Sequence, residues 1–154
     1  MPGPTFHYVE FRTSAHATEV EERVREAFHT VAGEVEVEGI ELEGHHKNPI
    51  VMMRGEIKKS GEITRFWKRL HEEAPGTLQR LRSQLEARLG DDGTFYFRLD
   101  KQEAFLGRLV LTSSDDCIQV AAKVAAYPAK REVAEGRLRQ FLDRLVADEG
   151  EDPA

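Results

Sequence analysis

Arg98, Asp100, Lys101 and Gln102 fall within five consecutive positions of FYFRLDKQEAFLGRL, residues 95–109. A guanidinium and an ammonium group suit phosphate oxygens, and the Gln102 amide can read a base edge or a sugar hydroxyl. Asp100 can hold one of the two cations by an ion pair. The cluster therefore has the side chains of an RNA-contacting corner. The same four residues are also sufficient to pin a bend in the chain, and spacing alone leaves both readings open.

Other candidate chemistry is weaker. Asp91-Asp92 and Asp115-Asp116 could suggest a hard-metal site, but GDDG and SSDDC are turn contexts in which Asp bonds neighbouring amides. His45-His46 lies in the polar loop GHHKNP, where adjacent histidines lack an evident third ligand and suit surface or RNA contact, with Lys47 beside them. One cysteine, Cys117, and no C-x-x-C give no zinc pattern and no internal disulfide. Ser113 and Ser114 have no histidine and acid at a recognisable motif spacing, and no Gly-rich phosphate loop occurs. The expectation is a non-enzymatic chain without cofactor or metal.

The elements that must position the cluster can be traced from either side of it. Phe95, Phe97 and Leu99 alternate with Tyr96, Arg98 and Asp100, as in a half-buried strand. Lys101 to Leu106 suits one helical turn that docks Ala104 and Phe105 on the core, and Gly107 can end it with positive φ. RLVL and CIQVAAKV read as further strands. Upstream, HYVEFRT is a first strand, and Thr18 to Glu21 has capping-box spacing ahead of a helix with Val20, Val24, Ala27, Phe28 and Val31. EVEVEGIELEG alternates but changes parity at Gly39, so a β-bulge there would put Val35, Val37, Ile40 and Leu42 on one face. IVMMRGEIK is a third strand. Ser60 can cap a helix bearing Ile63, Phe66, Trp67 and Leu70, Pro75-Gly76 breaks it, and Leu78, Leu81, Leu85 and Leu89 form another. A last helix carries Ala134, Leu138, Phe141, Leu142 and Leu145.

The expected order is β-α-β-β-α-α-β-β-β-α, an α+β fold with an antiparallel-rich sheet packed with helices. One domain over residues 5–147 and a disordered acidic tail over 148–154 complete the expectation. Trp67, Phe97 and Phe141 should be buried. Strand parity leaves Tyr8, Glu10, Arg12, Met52, Arg54, Lys58, Tyr96, Arg98, Gln119 and Lys123 on the other sheet face, which mixes rings and cations. Such a face can stack bases and hold phosphates, or it can be an ordinary half-wet sheet.

Charge is unevenly distributed. The formal net charge is −6, yet Glu10 to Glu43 holds ten acids and three bases whereas Arg54 to Arg88 holds nine bases and five acids. A basic middle permits a local anion-binding patch despite the overall sign. MPGPTFHYVEF lacks the basic start and apolar core of a secretory signal, and no apolar run approaches membrane length. A reducing cytoplasm is the expected location.

Several motifs in order carry a resemblance: HATE (16–19), EGHHKNPI (43–50), FRLDKQEAFLG (97–107) and AYPAKRE (126–132). Over some four-fifths of its length the chain resembles the archaeal RNA-binding protein family described as a predicted exosome-associated subunit. Matching positions are His16, Thr18, Gly44, His45, Asn48, Pro49, Arg98, Asp100, Lys101, Gln102 and Gly107. The chain departs from that pattern at Glu103, where a small residue is usual, and at Lys47, where glycine often precedes the Asn-Pro. The resemblance implies a fold like that of the ribosomal protein that binds 5S RNA. It also implies a general RNA-binding role, in RNA processing with exosome components or on ribosomal RNA. The expected RNA-contacting set is Arg98, Lys101 and Gln102 with Arg12, Arg54 and Tyr96 from the sheet face and His45 and Lys47 from the loop. The alternative is a homodimeric scaffold in which Ala121 and Ala125, on the outward parity, let two backbones approach.

Overall fold

Alternating side chains set the strands, and apolar stripes set the helices between them. A computed structural model describes residues 4–16, 18–43 and 49–150. Along the chain it forms β1 (Phe6–Ala15), α1 (Glu21–Ala32), β2 (Glu38–Glu43), β3 (Pro49–Ile57), α2 (Ser60–Glu73), α3 (Thr77–Ser83), α4 (Leu85–Arg88), β4 (Thr94–Asp100), α5 (Lys101–Phe105), β5 (Cys117–Val124) and α6 (Arg131–Gly150). The fold is α+β, with a five-stranded antiparallel sheet in the order β2-β3-β1-β5-β4 packed against helices. Contacts group the chain into two compact units. The first is Met1–Val9, Lys58–Phe97 and Ala121–Ala154; the second is Glu10–Ile57 and Arg98–Val120. Among the described residues no helix is long and apolar enough to cross a membrane.

The first unit is organised by rings. Trp67 is fully buried; its ring lies 5.3 Å from Phe6, 5.5 Å from Phe66, 5.7 Å from Phe97 and 5.8 Å from Phe141, between centroids. These separations suit offset and edge-to-face contacts. Phe97 is buried as expected, but Phe141 is only half-buried. Leu78, Leu81, Leu85 and Leu89 are all buried, but the first three lie on two short helices that part at Gln84 and Leu89 follows the second in extended conformation. Gly76, with φ 87°, supplies the left-handed residue that separates α2 from α3. Helix α6 continues to Gly150, three residues into the stretch expected as a tail, and residues 151–154 lie outside the described set.

In the second unit Val24, Ala27, Phe28 and Val31 of α1 are buried, with Phe28 edge-on to Phe11 of β1 at 6.4 Å. Gly55 of β3 makes room for that helix, because a Cβ there would lie 2.9 Å from Val35 and 3.1 Å from Phe28. Three sequence expectations are corrected here. Glu21 begins α1 after Val20, which has no side-chain cap and is 56% exposed, so the Thr18–Glu21 capping box does not form. The β2–β3 ladder runs one-to-one through Gly39↔Met53, without a bulge, so Ile40 and Leu42 stay exposed. Val35 and Val37 precede the strand, so no bulge is needed to accommodate their parity. RLVL is not a strand: β4 ends in α5, leaving one bridge, Leu99↔Leu111.

Inward parity holds for Val9, Phe11, Met53, Phe95, Phe97, Val120 and Val124, all buried, whereas Val51, expected inward with Met53, is only half-buried. Ala125 is also buried, which removes it from any outward contact surface. Phe97→Ala should cost about 3–5 kcal/mol by removing a ring from a close-packed cluster. Ile40→Thr, at an exposed strand position, should stay within about 0.5 kcal/mol. Urea unfolding followed by circular dichroism distinguishes the two.

Candidate nucleic-acid interface

The RLDKQ corner is built by a cap. Asp100 ends β4 with φ −63° and ψ 127°, and its Oδ1 accepts the Glu103 amide at 2.8 Å. That bond starts α5, whose Ala104 is fully buried. Gly107, at φ 84°, ends the turn and donates to the Ala104 carbonyl at 2.9 Å. Asp100 is therefore a helix cap, and its carboxylate does not orient Arg98 or Lys101 as the sequence suggested.

Lys101 turns inward. Its side chain is 4% exposed, and Nζ donates to the Ser14 carbonyl at 2.8 Å and to Glu19 Oε1 at 3.0 Å. Asp116 Oδ1 lies 3.1 Å from the same nitrogen. Three acceptors match the three donors of an ammonium group, so Lys101 does not project toward solvent as an RNA contact would. Gln102 is exposed, and its amide donates to Asp116 Oδ2 at 3.1 Å. Burial raises the pKa of Asp116, but hydrogen bonds from Gln102 and Lys101 and the nearby ammonium charge outweigh it, so the carboxyl sits below its ordinary value. Arg98 Nη1 reaches Asp115 at 2.9 Å, with Asp115 itself fully exposed. The second Asp pair thus supplies counter-charges. Among the described residues no group of three or more His, Cys, Asp or Glu side chains is placed to hold a metal. The first pair contains a turn: Asp92 accepts both the amide and the hydroxyl of Thr94 at 3.0 Å.

A groove of about 280 Å³ opens beside the corner, between the start of α1 and α5. Lys101 and Glu19 lie at its polar end, Val24 and Ala27 line its apolar part, and Gln102 stands at the rim. Across from them the Arg23 guanidinium lies 5.5 Å from the Phe105 ring centroid, within cation–π range. Arg23 is exposed and Phe105 half-buried, so the pair is accessible to solvent at the groove. Sequence reading missed Arg23. Its partner Phe105 was expected to dock on the core, and only the fold brings the two together.

The remaining expected contacts are dispersed. Arg54 is held by Glu10 at 2.7 Å, Glu56 at 2.7 Å and Glu38 at 3.7 Å. The hydrogen bond that Arg54 Nε donates to Glu10 is the main reason its guanidinium pKa is raised. Arg12 pairs with the same Glu10 at 2.5 Å. Tyr96 belongs to the first unit; its ring is exposed and its carbonyl accepts from Arg88 at 3.4 Å. His45 and Lys47 lie outside the described residues.

Comparison with known proteins places this geometry in context. The model of a family described as RNA binding matches residues 8–124, which include the whole corner and groove. The "RNA-binding protein PAB1135" of Pyrococcus abyssi is 38% identical over 148 residues, covering 89% of this chain and 94% of that protein. Among solved structures, protein AF2318 from Archaeoglobus fulgidus superposes with a TM-score of 0.78 at 35% identity, over 91% of this chain and 99% of that one. Mth689 from Methanothermobacter thermautotrophicus gives 0.75 at 33% identity, over 90% and 98%.

Lys101→Met should destabilise the protein by about 3 kcal/mol, because Glu19 and the Ser14 carbonyl lose their buried cation. Arg98→Ala, at a half-exposed pair, should cost under about 1 kcal/mol. Since the folded-state pKa of Asp116 is depressed, its contribution is complete above the ordinary carboxylate value of 3.8 and is lost as pH falls below it. Thermal melts from neutral pH to pH 2 should therefore show a shallower acid limb for Asp116→Asn than for the wild type.

Proposed function

This chain belongs to the RNA-binding family, and from that premise we propose that it binds RNA without catalysing a reaction on it. The contact is with single-stranded or unpaired RNA at the groove beside α5. The observation that carries this reading is the Arg23–Phe105 stack at the mouth of a groove rimmed by the Gln102 amide. An unstacked base can lie against a guanidinium plane while an amide bonds its edge. Arg98, paired with Asp115, and Arg108, at 2.6 Å from Glu103, are the cations that would exchange onto phosphate.

The setting we propose is RNA processing or ribosomal RNA. Its support is the resemblance of the corner motifs to the archaeal family described as a predicted exosome-associated subunit. A second reading, protein contact through the sheet, is favoured by the exposed Ile40 and Leu42 on edge strand β2.

Fluorescence anisotropy with labelled single-stranded RNA and a matched duplex tests the proposal. Single strands should bind more tightly. Replacing both Arg23 and Gln102 by Ala should weaken binding at least about tenfold, as loss of one stacked base would. With about three cations engaged, log affinity should fall against log salt with a slope near 2. Wild-type affinity in the double variant, or preference for the duplex, would exclude this groove. Absence of RNA binding together with a dimer in sedimentation would favour the protein-contact reading.

A further inference from the structure

We propose that the open edge of β2 takes a basic, extended segment of a partner protein as an added strand. The proposal deepens the protein-contact reading above and rests on it. The sheet order leaves β2 at one end, and among the described residues it pairs with β3 alone. An edge strand presents a row of unmet amides and carbonyls that another extended chain can complete. β2 is six residues long, so an added strand of that length spans roughly 20 Å. The register decides what it would lie against. Residues opposite each other in a ladder share a face, and Ile40 lies opposite Met52 and Leu42 opposite Ile50. Met53, opposite Gly39, is fully buried on the other face. The two apolar pairs therefore lie on the face turned away from the core, with Ile40 53% and Leu42 46% exposed and Met52 and Ile50 half-buried.

Charge selects the occupant. Residues 34–43 contain five glutamates and no lysine or arginine. Glu34, Glu36, Glu38 and Glu41 are all exposed. Arg54 lies 3.7 Å from Glu38 but is shared with Glu10 and Glu56 at 2.7 Å, so it cancels little of this charge. RNA phosphates are repelled from such an edge. A second copy of the chain would add a second row of glutamates, and like charges across paired strands are unfavourable. A partner strand that alternates Lys or Arg with apolar residues meets both features. Its apolar side chains extend the row begun by Ile40 and Leu42, while its cations on the opposite face meet Glu41.

A fluorescein-labelled heptapeptide alternating lysine and valine tests this on the full chain. Its anisotropy should rise saturably at low salt, and hydrogen exchange of the β2 amides should slow on binding. The same peptide with a central proline, which cannot complete the ladder, should bind at least about tenfold more weakly. A glutamate–valine peptide should not bind. Glu41→Lys, at an exposed position, should weaken the lysine peptide about tenfold and admit the glutamate peptide, with an unchanged melting temperature. Ile40→Thr, which removes apolar contact and no charge, should weaken the lysine peptide about threefold. The proposal is overturned if the lysine peptide gives no saturable response, if its proline form binds as well, or if both variants keep wild-type affinity. Slowed β2 exchange with single-stranded RNA in place of the peptide overturns it too. Sedimentation separates this failure from that of the underlying reading. A dimer that ignores the peptide keeps the sheet contact but assigns it to a second copy, and a monomer that ignores the peptide removes both.

Discussion

The buried ammonium group of Lys101 joins three parts of the second unit that lie far apart in sequence. Its acceptors come from the end of β1, from the turn before α1 and from the loop before β5. A lone ammonium group in an apolar site is untenable, and three oxygens near 3 Å make it tenable. The same contacts fix the direction in which α5 leaves the strand, because Lys101 is the first residue of that helix. Arginine could not substitute without rearrangement: its planar fork would not converge on three separate acceptors as a compact ammonium does. This lysine also forms part of the wall of the groove.

Once Lys101 is committed inward, the charge balance of the surrounding surface follows. Arg98 pairs with Asp115, while Glu10, Glu38 and Glu56 surround Arg54 and Glu10 also takes Arg12. Phosphate oxygens approaching that part of the sheet meet cations already bonded to carboxylates, and each contact requires an exchange. Such a surface gains less from counterion release than one of unpaired cations would. On the proposed reading the Arg23–Phe105 pair meets a base by contact with its face, which does not require a positive field around it.

The first unit follows a different logic. Its aromatic cluster is neutral and closely spaced, and most of its cations stand on helices. Phe141 shows how the two meet, since it packs on Trp67 from one side and on the other lines a cavity of about 430 Å³ that Arg137 and Arg144 also line. Its partial exposure reflects that double position.

Strand and helix identity was legible in the sequence wherever periodicity was strict. Alternation in β1, β3, β4 and β5 and the apolar stripe of α2 depend on local geometry, with a period of two or 3.6, and need no partner to be read. The α5 turn and its Gly107 stop were legible for the same reason. Local pattern failed where a partner decides. RLVL alternates like a strand, but β4 had ended in α5 and left it a single bridge. The apolar residues of β2 alternate without facing the core, because an edge strand follows the register of β3. For the site, the sequence identified the corner by residue type but not the direction of each side chain. Whether Lys101 meets solvent or three acceptors depends on Ser14, Glu19 and Asp116, and no local period links those positions. The Arg23–Phe105 stack has the same origin: two side chains distant in sequence become neighbours only when α1 and α5 pack. Sequence determined which elements form and what chemistry they carry; tertiary structure decided which charges are cancelled and which surface is left to bind.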